Sequence, residues 1–222
     1  MARKKIPSKG RLDPSPSPSP KQTSTVQKPR KSPRTPKPSS SAPTPSPPPQ
    51  GMMAKNPSKA CPIVGIGASA GGLKALCRFF STLPDNCGMG FVVIQHLVPD
   101  RESLLPELLA RKTSLPIHVA EDETLVEPNN IYIIPPNTQL SIGGGFLRVE
   151  RPSQVHGFRT PIDKFFKSLA EDQGPFAIGV ILSGAGSDGA VGLRFVKEYG
   201  GLTIVQTAET AQFSGMPTSA IL

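Results

Sequence analysis

The sequence predicts an α/β domain: a doubly wound, mainly parallel sheet with helices on both faces and a short antiparallel excursion, preceded by a disordered N-terminal tail. Three observations predict it. Near-continuous Val/Ile/Leu runs alternate with amphipathic stretches from Cys61 onward, the pattern of strands buried on both faces and joined by helices. Closely spaced short apolar runs separated by Pro, Asn and Gly interrupt that alternation in the middle of the chain. Finally, the 222 residues are made of two materials, because residues 1–60 hold 15 of the 27 prolines and carry a net +12, whereas residues 61–222 carry −3.

Residues 1–58 are Pro, Ser, Thr, Lys and Arg, with Ser-Pro steps from Pro14 to Pro20 and again from Ser41 to Pro49. Such a segment has too little apolar surface to offset its ordering entropy and favours extended conformers. It reads as a solvated basic tether. The formal +9 of the whole chain resides there, so charge gives no reason to assign nucleic-acid binding to the domain of residues 61–222.

Within that domain, Pro62–Gly67 reads as a buried strand ending in glycine. Gly72–Leu83 places Leu73, Leu76, Phe79, Phe80 and Leu83 on one helical face. Gly90–Gln95 is a second buried strand, and Arg101–Lys112 a helix with Leu104, Leu105, Leu108 and Leu109 on one side. Short strands follow at Ile117–Ala120, Ile131–Ile134, Gln139–Ile142 and Phe146–Val149, the expected antiparallel excursion. Pro161–Asp172 is helical, Ala177–Leu182 a third buried strand and Gly189–Tyr199 helical. Gly200-Gly201 ends that helix before a fourth strand, Leu202–Val205.

Several function classes fall away. No run approaches 18 apolar residues, so no membrane span is expected, and no signal-type apolar run follows the basic N-terminus. Cys61, Cys77 and Cys87 are odd in number and lack C-x-x-C spacing, which suits three ordinary thiols in a reducing cytoplasm. Glu121, Asp122, Glu123 and Glu127 have no His or Cys at ligand spacing and read as a solvated face, so no metal and no cofactor is expected. His118, in an apolar run, and His156, in a polar loop, read as structural or solvated histidines.

In a doubly wound sheet, functional groups gather beyond the carboxyl ends of the strands. After the first strand comes Gly67-Ala68-Ser69-Ala70-Gly71-Gly72, after the second Gln95-His96, and after the third Ser183-Gly184-Ala185-Gly186-Ser187-Asp188-Gly189. One Ser, one His and one Asp therefore share an edge: a nucleophile, a base to take its proton, and a carboxylate to orient the base. Gly67, Ser69 and Gly71 satisfy G-x-S-x-G, a strand-to-helix elbow that exposes the hydroxyl. Taken singly, Ser69 also suits a helix cap, His96 a structural histidine and Asp188 a helix N-cap; jointly they favour a Ser69–His96–Asp188 triad. The rival is dinucleotide binding, because Gly65-Ile66-Gly67-Ala68-Ser69-Ala70 fits G-x-G-x-x-G/A. That fingerprint needs an acid at the end of the second strand, where Gln95-His96 stands; Asp85 has the spacing but precedes the strand.

These residues resemble the catalytic domain of CheB-type protein-glutamate methylesterases. The resemblance rests on Ile66–Gly72, Ile94-Gln95-His96-Leu97, Ile133-Ile134-Pro135-Pro136-Asn137, Arg159-Thr160-Pro161-Ile162-Asp163, Gly179–Ala190 and Gly215-Met216-Pro217, in family order across essentially all of 61–222. It implies hydrolysis of glutamyl γ-methyl esters on methylated chemotaxis receptors in the cytoplasm, with glutamine deamidation in some members. It implies the triad on Ser69, His96 and Asp188, with backbone amides of Ala70 and Ala185 as oxyanion donors and Arg159 as a candidate substrate contact.

Three departures accompany the resemblance. The usual N-terminal phospho-receiver is replaced by the Pro/Ser/basic tail, so regulation by phosphorylation is not carried over. Ala70 and Ala185 stand where many members have Thr and Met, as in members fused to a receptor methyltransferase, which makes such a domain in the same longer chain an expected partner. The chain stops at Ser219-Ala220-Ile221-Leu222, where the family continues, which suggests a piece of a longer protein. The alternative of a different class is a non-catalytic signalling module that binds receptor or partner domains on the same fold.

Overall fold

The computed structural model of the chain describes residues 61–96, 104–151 and 159–221. The tail at 1–58, His156 and the first residues of the helix expected from Arg101 lie outside the described residues. The elements run β1 (Ile63–Ala68), α1 (Gly72–Phe80), β2 (Gly90–Gln95), α2 (Leu105–Ala110), β3 (Ile117–Val119), β4 (Thr124–Leu125), β5 (Ile131–Ile133), β6 (Gln139–Gly143), β7 (Phe146–Glu150), α3 (Pro161–Gln173), β8 (Ala177–Ile181), α4 (Ala190–Glu198), β9 (Leu202–Val205) and α5 (Gly215–Ile221).

Six strands form one parallel sheet in the order β3-β5-β2-β1-β8-β9. Side chains alternate across its faces, as strand geometry requires. Val64, Ile66, Phe91, Val93, Ile131 and Ile133 pack with Leu76 and Phe80 of α1 and Leu109 of α2. Ile63, Val92, Ile94 and Ile181 pack on the other face with Ile162, Phe165, Phe166 and Leu169 of α3 and Val196 of α4. Gly65 makes the second contact possible. A Cβ there would lie 3.0 Å from Phe165, Phe166 and Leu169, so α3 rests directly on the β1 backbone.

The middle of the chain departs from expectation. The runs beginning at Ile117 and Ile131 are not part of an antiparallel excursion: β3 and β5 extend the parallel sheet, with Ile117 opposite Ile131 and Phe91 opposite Ile131. Only the runs at 139 and 146 are antiparallel, joined by the unanticipated two-residue β4 in a separate sheet ordered β4-β7-β6. A three-residue apolar run specifies burial but not a pairing partner, so strand direction could not be read locally. This second sheet is bound to α3 by polar side chains: Ser168 Oγ accepts the Ile142 amide at 3.0 Å, and Asp172 accepts the amides of Gly144 and Gly145 at 2.6 and 3.1 Å.

The helices match their expected positions, α1, α2 and α4 with shorter ends and α3 running one residue further, to Gln173. α1 stops at Phe80 rather than Leu83, because the Ser81 and Thr82 hydroxyls donate to the carbonyls of Arg78 and Phe79 and replace the next helical turn. The helix expected over 101–112 is α2 over Leu105–Ala110 among the described residues. α5, which begins at the Gly215-Met216-Pro217 motif, is not expected from the sequence pattern. No helix among the described residues is long and apolar enough to cross a membrane.

Candidate active site

Parallel pairing sets the site. Ala68 is in register with Gln95, and Gly67 with Ile181, so β1, β2 and β8 end level and Ser69, His96 and Ser183 follow at one edge. The His96 ring bridges two of the loops: Nδ1 lies 3.2 Å from Ser69 Oγ and Nε2 lies 2.8 Å from Asp188 Oδ2. With Asp188 ionised, Nε2 carries the proton and donates to it, which leaves Nδ1 as the lone-pair nitrogen facing the serine hydroxyl. The ring is thus used in the opposite sense from the arrangement in which Nε2 faces the nucleophile, with the same logical outcome.

Asp188 is bonded through both oxygens to the start of α3. Its Oδ2 accepts the Ile162 amide at 3.1 Å and its Oδ1 the Asp163 amide at 3.0 Å, and its side chain is 6% exposed against 34% for His96. Two orphan amides of a helix N-terminus favour negative charge there. The reading of Asp188 as a cap for the helix that follows it needs correction, because the caps are exchanged between helices. Asp188 caps α3, while Asp163 Oδ1 accepts the amides of Gly189 and Gly192 at 2.9 and 2.7 Å and so caps α4. Burial, first of all, and then the neighbouring charge of Asp188 push the Asp163 carboxyl above the ordinary carboxylate range, against the lowering by the amides it accepts.

The Ser69 loop turns at Gly71, whose φ of 71° belongs to the left-handed region that glycine enters without cost. The Ser69 amide donates to Ser183 O at 3.0 Å, and the Ser69 carbonyl accepts the Gly72 amide at 2.9 Å. Because a trans peptide aims its C=O and N–H in opposite directions, the second bond turns the Ala70 N–H away from the start of α1. The Gly184 carbonyl likewise accepts the Met216 amide at 2.9 Å, which turns the Ala185 N–H away from α5. Among the described residues neither amide has an acceptor. Gly184 brings the two loops together: a Cβ on it would meet Met216 and lie 3.0 Å from Ser69 Cβ.

Arg159 donates from Nη1 to Asn137 Oδ1 at 2.6 Å, joining the segment before α3 to the loop after β5. His118 pairs through Nε2 with Asn130 Oδ1 at 2.8 Å and stacks on Tyr132, a structural histidine as expected. Among the acids read as a solvated face, Asp122 accepts the Val149 amide and Glu123 pairs with Arg148. Asp85, the one acid with the spacing for a ribose contact, accepts from Ser114. No group of three or more His, Cys, Asp or Glu capable of holding a metal occurs among the described residues. The sequence pattern does not single out Asp163 or Ser183: one lies in the Arg159–Asp163 motif and the other at a strand's carboxyl end beside Gly184, but the partners that give them a role, Gly189 and Gly192 for Asp163 and Ala70 and Phe213 for Ser183, are distant in sequence.

Fold and geometry define a class: a doubly wound α/β domain with a serine–imidazole–carboxylate hydrogen-bond chain at the carboxyl edge of its sheet. The CheB methylesterase family model matches residues 64–222. The chain belongs to that family. It is 35% identical to the protein-glutamate methylesterase FrzG of Myxococcus xanthus over 176 residues, 79% of this chain and 53% of that protein. It is 38% identical over 160 residues to a putative protein-glutamate methylesterase/protein-glutamine glutaminase of Leptospira interrogans, covering 70% of this chain and 81% of that protein. The crystal structure of the Thermotoga maritima CheB methylesterase catalytic domain superposes with a TM-score of 0.67 at 34% identity, covering 72% of this chain and 87% of that one. The chain thus spans about half of FrzG and most of the shorter relative.

Proposed function

We propose that this domain is a protein-glutamate methylesterase that hydrolyses glutamyl γ-methyl esters on methylated chemotaxis receptors in the cytoplasm, and deamidates glutamine at such sites. The observation that carries the reading is the His96 ring bonded at one nitrogen to Ser69 Oγ and at the other to Asp188. The names of the relatives, methylesterase and glutaminase, support the substrate class.

In this mechanism Ser69 Oγ attacks the γ-carbonyl carbon as His96 Nδ1 removes its proton, and the Asp188 carboxylate stabilises the imidazolium that forms. The amides of Ala70 and Ala185 receive the tetrahedral oxyanion; fixed dipoles there need no reorganisation as the charge develops. His96 returns the proton to the methoxy oxygen, and methanol leaves with an acyl-Ser69 behind it. Water then attacks the acyl carbon, His96 takes one of its protons and returns it to Ser69 Oγ, and glutamate is released. With glutamine the leaving group is ammonia. Arg159 is a candidate contact for the substrate's acidic surroundings, and its bond to Asn137 ties the segment before α3 to the loop after β5. A receptor methyltransferase, whose product is this substrate, is the pathway partner, and the Ala70 and Ala185 identities support its presence in a longer chain.

The test is methanol release from methylated receptor fragments by the full chain beside Ser69→Ala. Release that falls by about 10⁴-fold or more in the variant, at unchanged thermal unfolding, is expected. Equal release by both proteins would overturn the reading.

A further inference from the structure

Ser183 makes a set of bonds that the chemistry described above does not use. It is 1% exposed, yet every polar group it has is engaged. Its amide donates to Gln206 Oε1 at 2.8 Å, its carbonyl accepts the Ser69 amide at 3.0 Å, and its hydroxyl donates to Ala70 O at 2.8 Å while accepting the Phe213 amide at 3.0 Å. The next residue continues the pattern, with the Gly184 amide donating to Phe213 O at 3.0 Å.

We infer that Ser183 is a positioning residue for the nucleophile and its oxyanion amides, a role that rests on the esterase reading. The two bonds it makes to the elbow fall on either side of the peptide that joins Ser69 to Ala70. One holds the N–H that precedes it and the other the C=O that follows it. With the Gly72 amide on the Ser69 carbonyl, three consecutive peptide groups of the elbow are fixed, and the middle one carries the Ala70 N–H. Ser183 is also two residues before Ala185, so the same residue anchors the start of the second loop. Ser183 therefore links the two oxyanion donors to the 206–213 segment, its hydroxyl through Phe213 and its amide through Gln206. An alanine would leave the Ala70 carbonyl and the Phe213 amide without their partner and release the elbow at the point where small displacements matter.

The experiment compares the full-length wild type with Ser183→Ala and Ser183→Cys. Cysteine keeps nearly the same shape and packing but donates and accepts weakly, so it separates the bonds from the volume. Active enzyme is counted by labelling Ser69 with a fluorophosphonate, and methanol release is expressed per labelled site. The expected result is a kcat lowered by about ten- to a hundredfold in both variants, with KM within about twofold and the pH profile of kcat unmoved. A residue that serves only the fold would lower the labelled fraction and leave kcat per site unchanged; that outcome in either variant overturns the assignment. A fall carried by KM, or a shifted pH profile, also overturns it, because the role claimed acts on the transition state and not on binding or on His96. Failure of the underlying reading looks different: the wild type itself would then match Ser69→Ala, and the positioning role would fall with it.

Discussion

The three loops that build the site are anchored in two different ways. Ser69 and Asp188 are held by the scaffold: the Ser69 backbone is bonded on both sides, and both Asp188 oxygens accept α3 amides. His96 sits one residue past the end of β2, is a third exposed, and among the described residues its ring bonds only the hydroxyl and the carboxylate it serves. The nucleophile and the carboxylate are thus fixed points, and the imidazole is oriented by them. This division suits the chemistry, since the base must turn slightly as it passes a proton from Oγ to a leaving methoxy group, whereas the elbow and the carboxylate gain nothing by moving.

The contrast predicts that loss of activity and loss of stability separate on one side of the site and travel together on the other. His96→Ala should produce the largest loss in methanol release, about 10⁴-fold or more, with unfolding free energy within about 0.5 kcal/mol of wild type, because among the described residues the ring bonds only Ser69 and Asp188, and Asp188 keeps its α3 amides. A substantial loss of stability in urea unfolding would show that His96 is part of the scaffold after all. Asp188→Asn should come next, with kcat down about 10³- to 10⁴-fold. Its NH₂ must face either the Asp163 amide or the Ile162 amide together with Nε2; in the second orientation it donates to Nε2, draws the imidazole into the tautomer protonated at Nδ1 and removes the base. Here stability should fall as well, by about 1 kcal/mol, since a charge at a helix N-terminus is lost. Full stability in this variant would break the distinction drawn between the two kinds of anchor.

How much of this was legible in the residues follows from how local each feature is. The strands β1, β2 and β8 announced themselves as continuous apolar runs, and the edge rule then brought Ser69, His96 and Asp188 together without coordinates, because a parallel sheet aligns strand ends whatever the strand order. Strand order was not legible: Ile117–Val119 and Ile131–Ile133 are too short for periodicity to reveal whether they join the main sheet or the small one. Nor were the tertiary bonds. Ser183 reaches Ala70 across 113 positions and Asp163 reaches Gly189 across 26, and no local pattern separates such a serine or aspartate from one that faces water. The Asp188 cap shows the same limit, since a residue directly before α4 caps α3 instead, through a fold in which the two helix starts meet.

That meeting of helix starts supplies the smallest effect and the sharpest sign. Asp163 and Asp188 are two carboxylates at adjacent helix N-termini, each capping the other's helix. Amides favour the charge of Asp163, whereas burial and the charge of Asp188 oppose it. For Asp163 burial prevails, and its carboxyl is pushed up. An acid that ionises later in the fold than in the unfolded chain leaves the native state holding more protons, so stability falls as pH rises through that window and is level above it. Asp163→Asn keeps a carbonyl acceptor for α4 and removes the titration. Measured by urea unfolding from pH 4 upward, the stability of wild type relative to Asp163→Asn should therefore decline with pH, while methanol release per labelled site stays within about tenfold, because Asp163 touches neither His96 nor Ser69. A relative stability that climbs with pH would mean that the Gly189 and Gly192 amides outweigh burial and hold Asp163 as an anion.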